Sequence, residues 1–399
     1  MDSLFATPIA QHADVARVVL GRLQRLHASG LSSADSLSRC EQALLHHLSG
    51  VGPRPFMACQ DADEAFLYWC AKLLQSKPQS CSAQASIERL TLPAGLLNWL
   101  QETPEPVAVG GLRAILWCYG KLEGAELSGY DTPLLWQLFV AAGVDIPKTL
   151  LFQSLRHPDP AVKTAAYDYA TRSGQSIGTD SASSPDHRLQ LALLKAQLVA
   201  GKLGAAELLA ALEHESSYAA LSLRATIGDS NLPALLERHL EFDAARSLQL
   251  AALTGTRAGA ELLLEALANP RFSKSAEPAW QLLSGRILSL QPQLRVAGSG
   301  CRPETQVPVG NTPDVQQARR WWREYNCLFE ESPNGLLLGE PLTDRVMLRG
   351  LQGYGGWLIN PLLEVALLRL GWQTIGLSAE QPCYRRRAKL REMSTACLN

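Results

Sequence analysis

The sequence predicts an all-α protein, a helical-repeat solenoid closed by divergent N- and C-terminal helical caps. Leucine and alanine dominate, and alternating strand patterns are scarce. The stronger observation is a recurring segment, seen at 96–120, 150–174, 208–228, 235–255 and 262–285. Each copy opens on a leucine-rich run, passes a short polar or proline turn, and continues as an alanine-rich run that ends at glycine. One helix pair is too small to hide its apolar face, so neighbours must stack. Stacked pairs offer extended surfaces to other macromolecules. The starts at 208, 235 and 262 are evenly spaced, and the earlier copies lie about twice as far apart, leaving room for additional helices. Degenerate repeats of this kind also arise by chance in leucine- and alanine-rich helical chains.

The elements follow in order. An N-terminal helical region, 1–90, holds three amphipathic runs at 13–26, 36–48 and 62–74, with Asp35 and Asp61 as start signals. The repeat region spans 91–290. In its first copy Leu96, Leu97 and Leu100 lead into Thr103-Pro104-Glu105-Pro106 and then Leu112, Ile115 and Leu116. In the second, Leu151 and Leu155 precede His157-Pro158-Asp159-Pro160, and Val162, Ala165, Ala166 and Tyr169 follow at helical spacing. Asp159 is placed to cap the second helix of the pair, and Pro160 suits its first turn, where an amide hydrogen has no partner to lose. Gly174 provides the stop, and the glycine- and serine-rich stretch 174–185 reads as an exposed loop. The last copy sets Leu263 and Leu267 before Asn269-Pro270, then Ala276, Ala279, Trp280 and Leu283 before Gly285. Residues 291–399 form a linker and cap. Residues 298–313 read as a long irregular connection, Thr312-Pro313-Asp314 starts a helix bearing Val315, Ala318, Trp321, Trp322 and Tyr325, and Asn360-Pro361 starts another through Leu370.

Composition narrows the function. A formal net charge of −1 argues against a globally steered nucleic-acid binder. The apolar patch at 4–10 contains Pro8 and has no lysine or arginine before it, unlike a signal peptide, and no apolar stretch is long enough to span a bilayer. A cytoplasmic protein is expected. Nine cysteines without a CxxC pair fit reduced thiols better than a disulfide framework, and no histidine stands at zinc-site spacing from them. Gly298-Ser299-Gly300 lacks the lysine of a phosphate loop, and the glycines from Gly353 to Gly356 lack the dinucleotide fingerprint. His46 and His47 are adjacent rather than one turn apart, and His157, His214 and His239 recur near the repeat turns, where surface or capping positions explain them. No catalytic group assembles, so no enzyme activity, cofactor or metal is expected.

Two patterns carry a resemblance. His12-Ala13-Asp14 followed by Leu20, Leu23 and the run from Leu37-Ser38-Arg39-Cys40 to Gly50 resembles the start of a bacterial family with HEAT-like repeats. Ala318-Arg319-Arg320-Trp321-Trp322-Arg323-Glu324, then Leu336-Leu337-Leu338-Gly339-Glu340-Pro341-Leu342-Thr343, looks like its C-terminal signature. The resemblance spans nearly the whole chain. Members are encoded near type VI secretion genes, and the resemblance implies an immunity protein that binds and neutralises a cognate antibacterial toxin, a nuclease, in the cytoplasm. It implies no catalytic residues. The rival function is a secretion adaptor or chaperone that holds an effector or spike component, and a third is a repeat-protein enzyme acting on a modified protein or nucleic acid.

Such a protein needs a broad preformed surface. The candidate partner-binding residues are the carboxylates of the helix-pair turns, Glu102, Glu105, Asp159, Glu213, Glu215, Glu241 and Asp243. A row of them imitates phosphate and speeds encounter with a basic nuclease. The plainer reading is helix-dipole compensation and a soluble edge. Trp280, Trp321 and Trp322 are candidate anchors whose helical periodicity reads as core. Tyr354 and Trp357, within Gly353-Tyr354-Gly355-Gly356-Trp357, read as better exposed. The basic run from Arg385 to Arg391 invites phosphate or acidic-protein contact, against the commoner meaning of a solvated terminal helix. No direct nucleic-acid or membrane partner is expected.

Overall fold

The computed structural model describes residues 9–28, 32–51, 53–56, 60–75, 94–119, 132–175, 185–296 and 306–397. Among the described residues there are 19 α-helices and two two-stranded sheets, so the all-α reading holds. The chain forms two compact units. The first takes in 1–203, 351–363 and 371–399, and the second 204–350 and 364–370.

In the first unit, α1 (Ile9–Ala28), α2 (Ala34–Ser49) and α3 (Ala62–Gln75) lie where the amphipathic runs predict. Asp61 caps α3 by accepting from the amides of Asp63 and Glu64, each at 2.9 Å. Ser33, not Asp35, caps α2, and Asp35 instead meets Arg387 at 2.7 Å. The first repeat copy is α4 (Ala94–Glu102) and α5 (Glu105–Cys118), while Gly120, its expected stop, falls outside the described residues. Additional helices occupy the long intervals: α6 (Pro133–Ala142) precedes the pair α7 (Lys148–Leu155) and α8 (Pro160–Ser173), and α9 (His187–Val199) follows it. The 174–185 loop lies largely outside the described residues. Helices pack in sequence, α1 on α2, α3 on α5, α7 on α8 and α8 on α9. Tyr169 is buried against Trp136, and its hydroxyl donates to Val144 O at 2.9 Å while accepting from the Ile146 amide at 3.0 Å. Asp168 joins α8 to α9 by pairing with Arg172 and Lys195, both at 2.8 Å.

His27 is expected to make this unit acid-sensitive. Burial, with Arg113 and Arg386 nearby, pushes its pKa down to about 4. The folded form therefore keeps the ring neutral where the unfolded chain is already charged. Its contribution is complete above the ordinary histidine pKa of about 6.5 and falls as pH drops toward 4. Because the ring is only part-buried, the loss between about pH 7.5 and about pH 5 is expected to be about 1–2 kcal/mol. Urea unfolding of the parent and of His27→Gln at both pH values checks this. Equal acid sensitivity in the two proteins removes His27 as the cause.

The second unit begins with the pair α10 (Ala205–Ala211) and α11 (Tyr218–Ile227). The next copy is one broken helix, α12 (Leu232–Thr254), interrupted at Asp243 by φ −149° and ψ 78°. The pair α13 (Arg257–Ala268) and α14 (Ser273–Ser284) completes the run, with α12 packed on α13 and α14. The copies close on Gly228, Gly255 and Gly285, all left-handed, at φ +85°, +66° and +66°. Gly174 and Gly201 share this conformation, so the glycines from 174 to 255 recur at equal intervals.

The connection read as irregular is corrected by the structure. Strand β1 (Leu290–Val296) pairs antiparallel with β2 (Gln306–Pro313), joined by residues outside those described. Leu290-Gln291-Pro292-Gln293-Leu294-Arg295-Val296 does alternate apolar and polar positions. Pro292 and Pro308 mask the pattern, and a two-stranded sheet tolerates them because both strands are edges. Helix α15 (Val315–Tyr325) starts on Asp314, which accepts from the Gln316 and Gln317 amides, and α16 (Leu328–Glu331) follows. Trp321 lies edge-on to the buried Trp280 at 5.3 Å, so both rings are core.

Strands β3 (Leu336–Leu337) and β4 (Glu340–Pro341) belong to a tight strap over the ends of α12 and α14. The Leu336 amide donates to Gly255 O at 2.8 Å, Leu338 to Leu282 O at 2.9 Å, and Gly339 to Leu283 O at 2.8 Å. Helix α17 (Asp344–Gly353) and α18 (Ile359–Leu370) come next. Arg369, near the end of α18, directs all five N–H groups at carbonyls. They reach Ala225 O and Thr226 O of α11 (both 2.6 Å), Leu253 O and Thr254 O of α12 (2.7 and 3.1 Å), and Asn334 O (3.2 Å). In the first unit the Thr374 and Gly376 amides donate to Arg172 O and Val140 O, and α19 (Cys383–Cys397) ends the chain.

Candidate functional site

The predicted carboxylates occupy the turns of their helix pairs, divided between the units. In the first unit Glu102 and Glu105 are exposed on either side of the α4–α5 turn. Asp159 is exposed too, but its carboxylate accepts from the Ala161 amide at 2.8 Å and so serves as a helix cap.

In the second unit three successive turns stand side by side. Glu213 is exposed and Glu215 half-buried between α10 and α11. Arg246, just past the α12 break, stacks 5.1 Å from the ring of Tyr218 at the start of α11 and pairs with Asp243 at 3.4 Å. On the other flank Glu241 forms an ion pair with Arg271, whose guanidinium lies over the Phe272 ring between α13 and α14. Phe242 stands between these pairs, 87% exposed, and Tyr218 is 51% exposed. Phe242 is the last helical residue before the break at Asp243. Glu241 and Asp243 are therefore half of a charge-alternating, aromatic edge. Sequence reasoning named the two acids and missed Tyr218, Phe242, Arg246 and Arg271. The available signal was an aromatic residue held between two acids at a repeat turn.

The glycine-rich aromatic candidates are tied into the first unit. Tyr354 is half-buried and bridges Ser33, the Gly355 amide donates to Ser32 O, and Arg386 donates to Tyr354 O at 3.3 Å. Trp357 lies in a 3₁₀ turn, Gly356–Leu358, and its side chain is outside the described residues.

Three residues of the basic run, Arg385, Arg386 and Arg387, are spent on docking α19, and Lys389 and Arg391 are exposed. Arg385 donates to Leu116 O at 2.9 Å, Arg387 to Gln352 O and Asp35, and Arg386 is wholly buried. Beside it the buried Glu41 accepts the Cys383 amide on both oxygens at 2.9 Å. Burial raises the pKa of Glu41, and the amide and the arginines oppose that rise. The first turn of this helix is therefore docked rather than solvated, and its three arginines are not free to bind phosphate.

Among the described residues reactive groups are few. His12 and His47 approach through Nδ1 at 3.0 Å, with His46 alongside, but among the described residues no three histidine, cysteine or acidic side chains are arranged to hold a metal ion. Burial raises the Cys70 thiol, as does the neighbouring Cys118, and burial pushes Cys383 up to about 11. Both stay protonated at neutral pH and are poor nucleophiles. Among the described residues no helix is long and apolar enough to cross a membrane.

Comparison with protein-family models, with curated proteins and with solved structures finds no match.

Proposed function

We propose that this protein is a helical-repeat solenoid that works by binding another protein, as an immunity protein that neutralises a cognate type VI secretion toxin in the cytoplasm. The observation that carries the binding reading is Phe242, 87% exposed on the α12 break between the Tyr218–Arg246 and Glu241–Arg271 pairs. Covering a ring of that size releases about 1.5–3 kcal/mol. Tyrosine and arginine are the residues in which binding energy concentrates. These side chains already hold one another, so less ordering is lost on contact. Beside this edge in the second unit Glu213 carries no ion pair among the described residues and is the carboxylate that draws in a basic nuclease surface. The toxin assignment rests on the family resemblance, and the mode of action that fits a broad edge is occlusion of the toxin's substrate path.

Co-expression with the toxin domain encoded beside its gene tests this reading. Growth is expected to be rescued and a stable complex recovered, with Phe242→Ala and Arg271→Glu each weakening the complex by about tenfold or more. A complex without rescue favours the secretion adaptor, and absence of both rescue and complex ends the toxin partnership.

A further inference from the structure

The second unit carries another surface with a different chemistry. Helix α15 buries Ala318 and Trp321, and its outer stripe holds Gln316, Arg319, Arg320, Arg323 and Glu324, all exposed. Among the described residues no carboxylate comes within ion-pair distance of the three arginines, and Arg323 Nε donates to Arg319 O at 3.4 Å. Like charges three and four residues apart destabilise a helix. The exposed arginines at positions 17, 246, 257, 271 and 349 meet acids, and the three of this stripe do not.

The start of β1 is fastened to this helix. The Ser289 amide donates to Gln317 Oε1 at 3.0 Å, Gln317 Nε2 donates to Ser289 Oγ at 2.6 Å, and the Asp314 amide donates to Ser289 O at 2.8 Å. Ser289 stands between Ile287 and Leu290, which are 75% and 54% exposed. The bonds thus fix the segment that carries these two exposed aliphatic side chains against α15, whose outer stripe holds three arginines and one glutamate.

We infer that the α15 stripe, with Ile287 and Leu290, is a docking surface for an acidic, leucine-bearing segment of a partner protein. Charge complementarity selects an acidic partner. The aliphatic pair selects a polypeptide over a polynucleotide, which would call for exposed rings on which bases stack. This surface is separate from the Phe242 edge and does not depend on the toxin reading.

The test uses the full-length protein and fluorescence anisotropy with a labelled glutamate-rich peptide carrying leucine every fourth residue. The comparison ligands are its glutamine-for-glutamate counterpart, a single-stranded DNA oligonucleotide, and vesicles of phosphatidylcholine with phosphatidylserine. Saturable binding to the acidic peptide is expected, weakened about tenfold or more by the combined variant R319E/R320E/R323E. The combined variant I287S/L290S is expected to weaken it about threefold or more. Circular dichroism of both variants should match the parent, since all five side chains are exposed. Tighter binding to DNA or vesicles, no binding of the acidic peptide, or binding that ignores either variant overturns the proposal. A parallel measurement with Phe242→Ala should leave peptide affinity unchanged, so that this surface and the turn edge can fail independently.

Discussion

Arg369→Leu is expected to lower the unfolding free energy of the second unit by about 3–5 kcal/mol. The last carbonyls of a helix have no partner within it and carry the negative end of its dipole. Arg369 meets two such ends at once, α11 through Ala225 and Thr226 and α12 through Leu253 and Thr254, and spends its fifth donor on Asn334. Burial pulls its pKa down to about 10, so it remains a cation at neutral pH, and carbonyl dipoles take the place of a counter-ion. Leucine fills much of the volume but leaves the carbonyls unsatisfied. Lysine keeps the charge with three donors on one nitrogen, so Arg369→Lys should lie between, at about 2 kcal/mol. Urea midpoints of the three proteins check the order. A leucine variant as stable as the parent would show that water serves these carbonyls equally well.

The second large effect is Gly110→Ala in α5. Helix propensity alone favours alanine by about 1 kcal/mol. Packing opposes it, because a Cβ at this position falls 2.0 Å from Ala62 O and 2.9 Å from Phe66 N of α3. Both are backbone atoms, and no side chain can swing aside. The two helices must separate, and a net destabilisation of about 3 kcal/mol or more is expected. Gly21→Ala in α1 is the control, since nothing lies within 4 Å of its added Cβ. It should stabilise by about 0.5–1 kcal/mol. Thermal melts that move both variants in the same direction would contradict the α3–α5 contact.

The turn chemistry explains why much of the fold was readable. Asp61, Asp159 and Asp314 cap where the residue pattern predicts, and Gly174, Gly228, Gly255 and Gly285 adopt the left-handed stop. These signals act within a few residues, so the chain displays them locally. The Leu336–Gly339 strap and the Arg369 cluster were not legible, because each joins residues far apart in sequence: Arg369 and Ala225 meet across 144 positions. The candidate site was readable to the same depth. Glu241 and Asp243 could be placed on a turn, but their pairing with Arg271 and Arg246 depends on which turns become neighbours. Asp35 shows the limit from another side, since a capping residue type was drawn instead to Arg387 far along the chain.

The strap and Arg369 also divide labour between the two ends of the helices in the second unit. At the glycine ends, main-chain oxygen is already claimed by the protein itself, and a substitution there is answered by the fold. At the turn ends, side chains such as Phe242 and Glu213 face solvent and hold little in place. Sequence can therefore vary at one edge while the other holds the scaffold together. A library randomised over the turns should yield mostly folded proteins, whereas the same diversity at the glycine ends should yield few that fold.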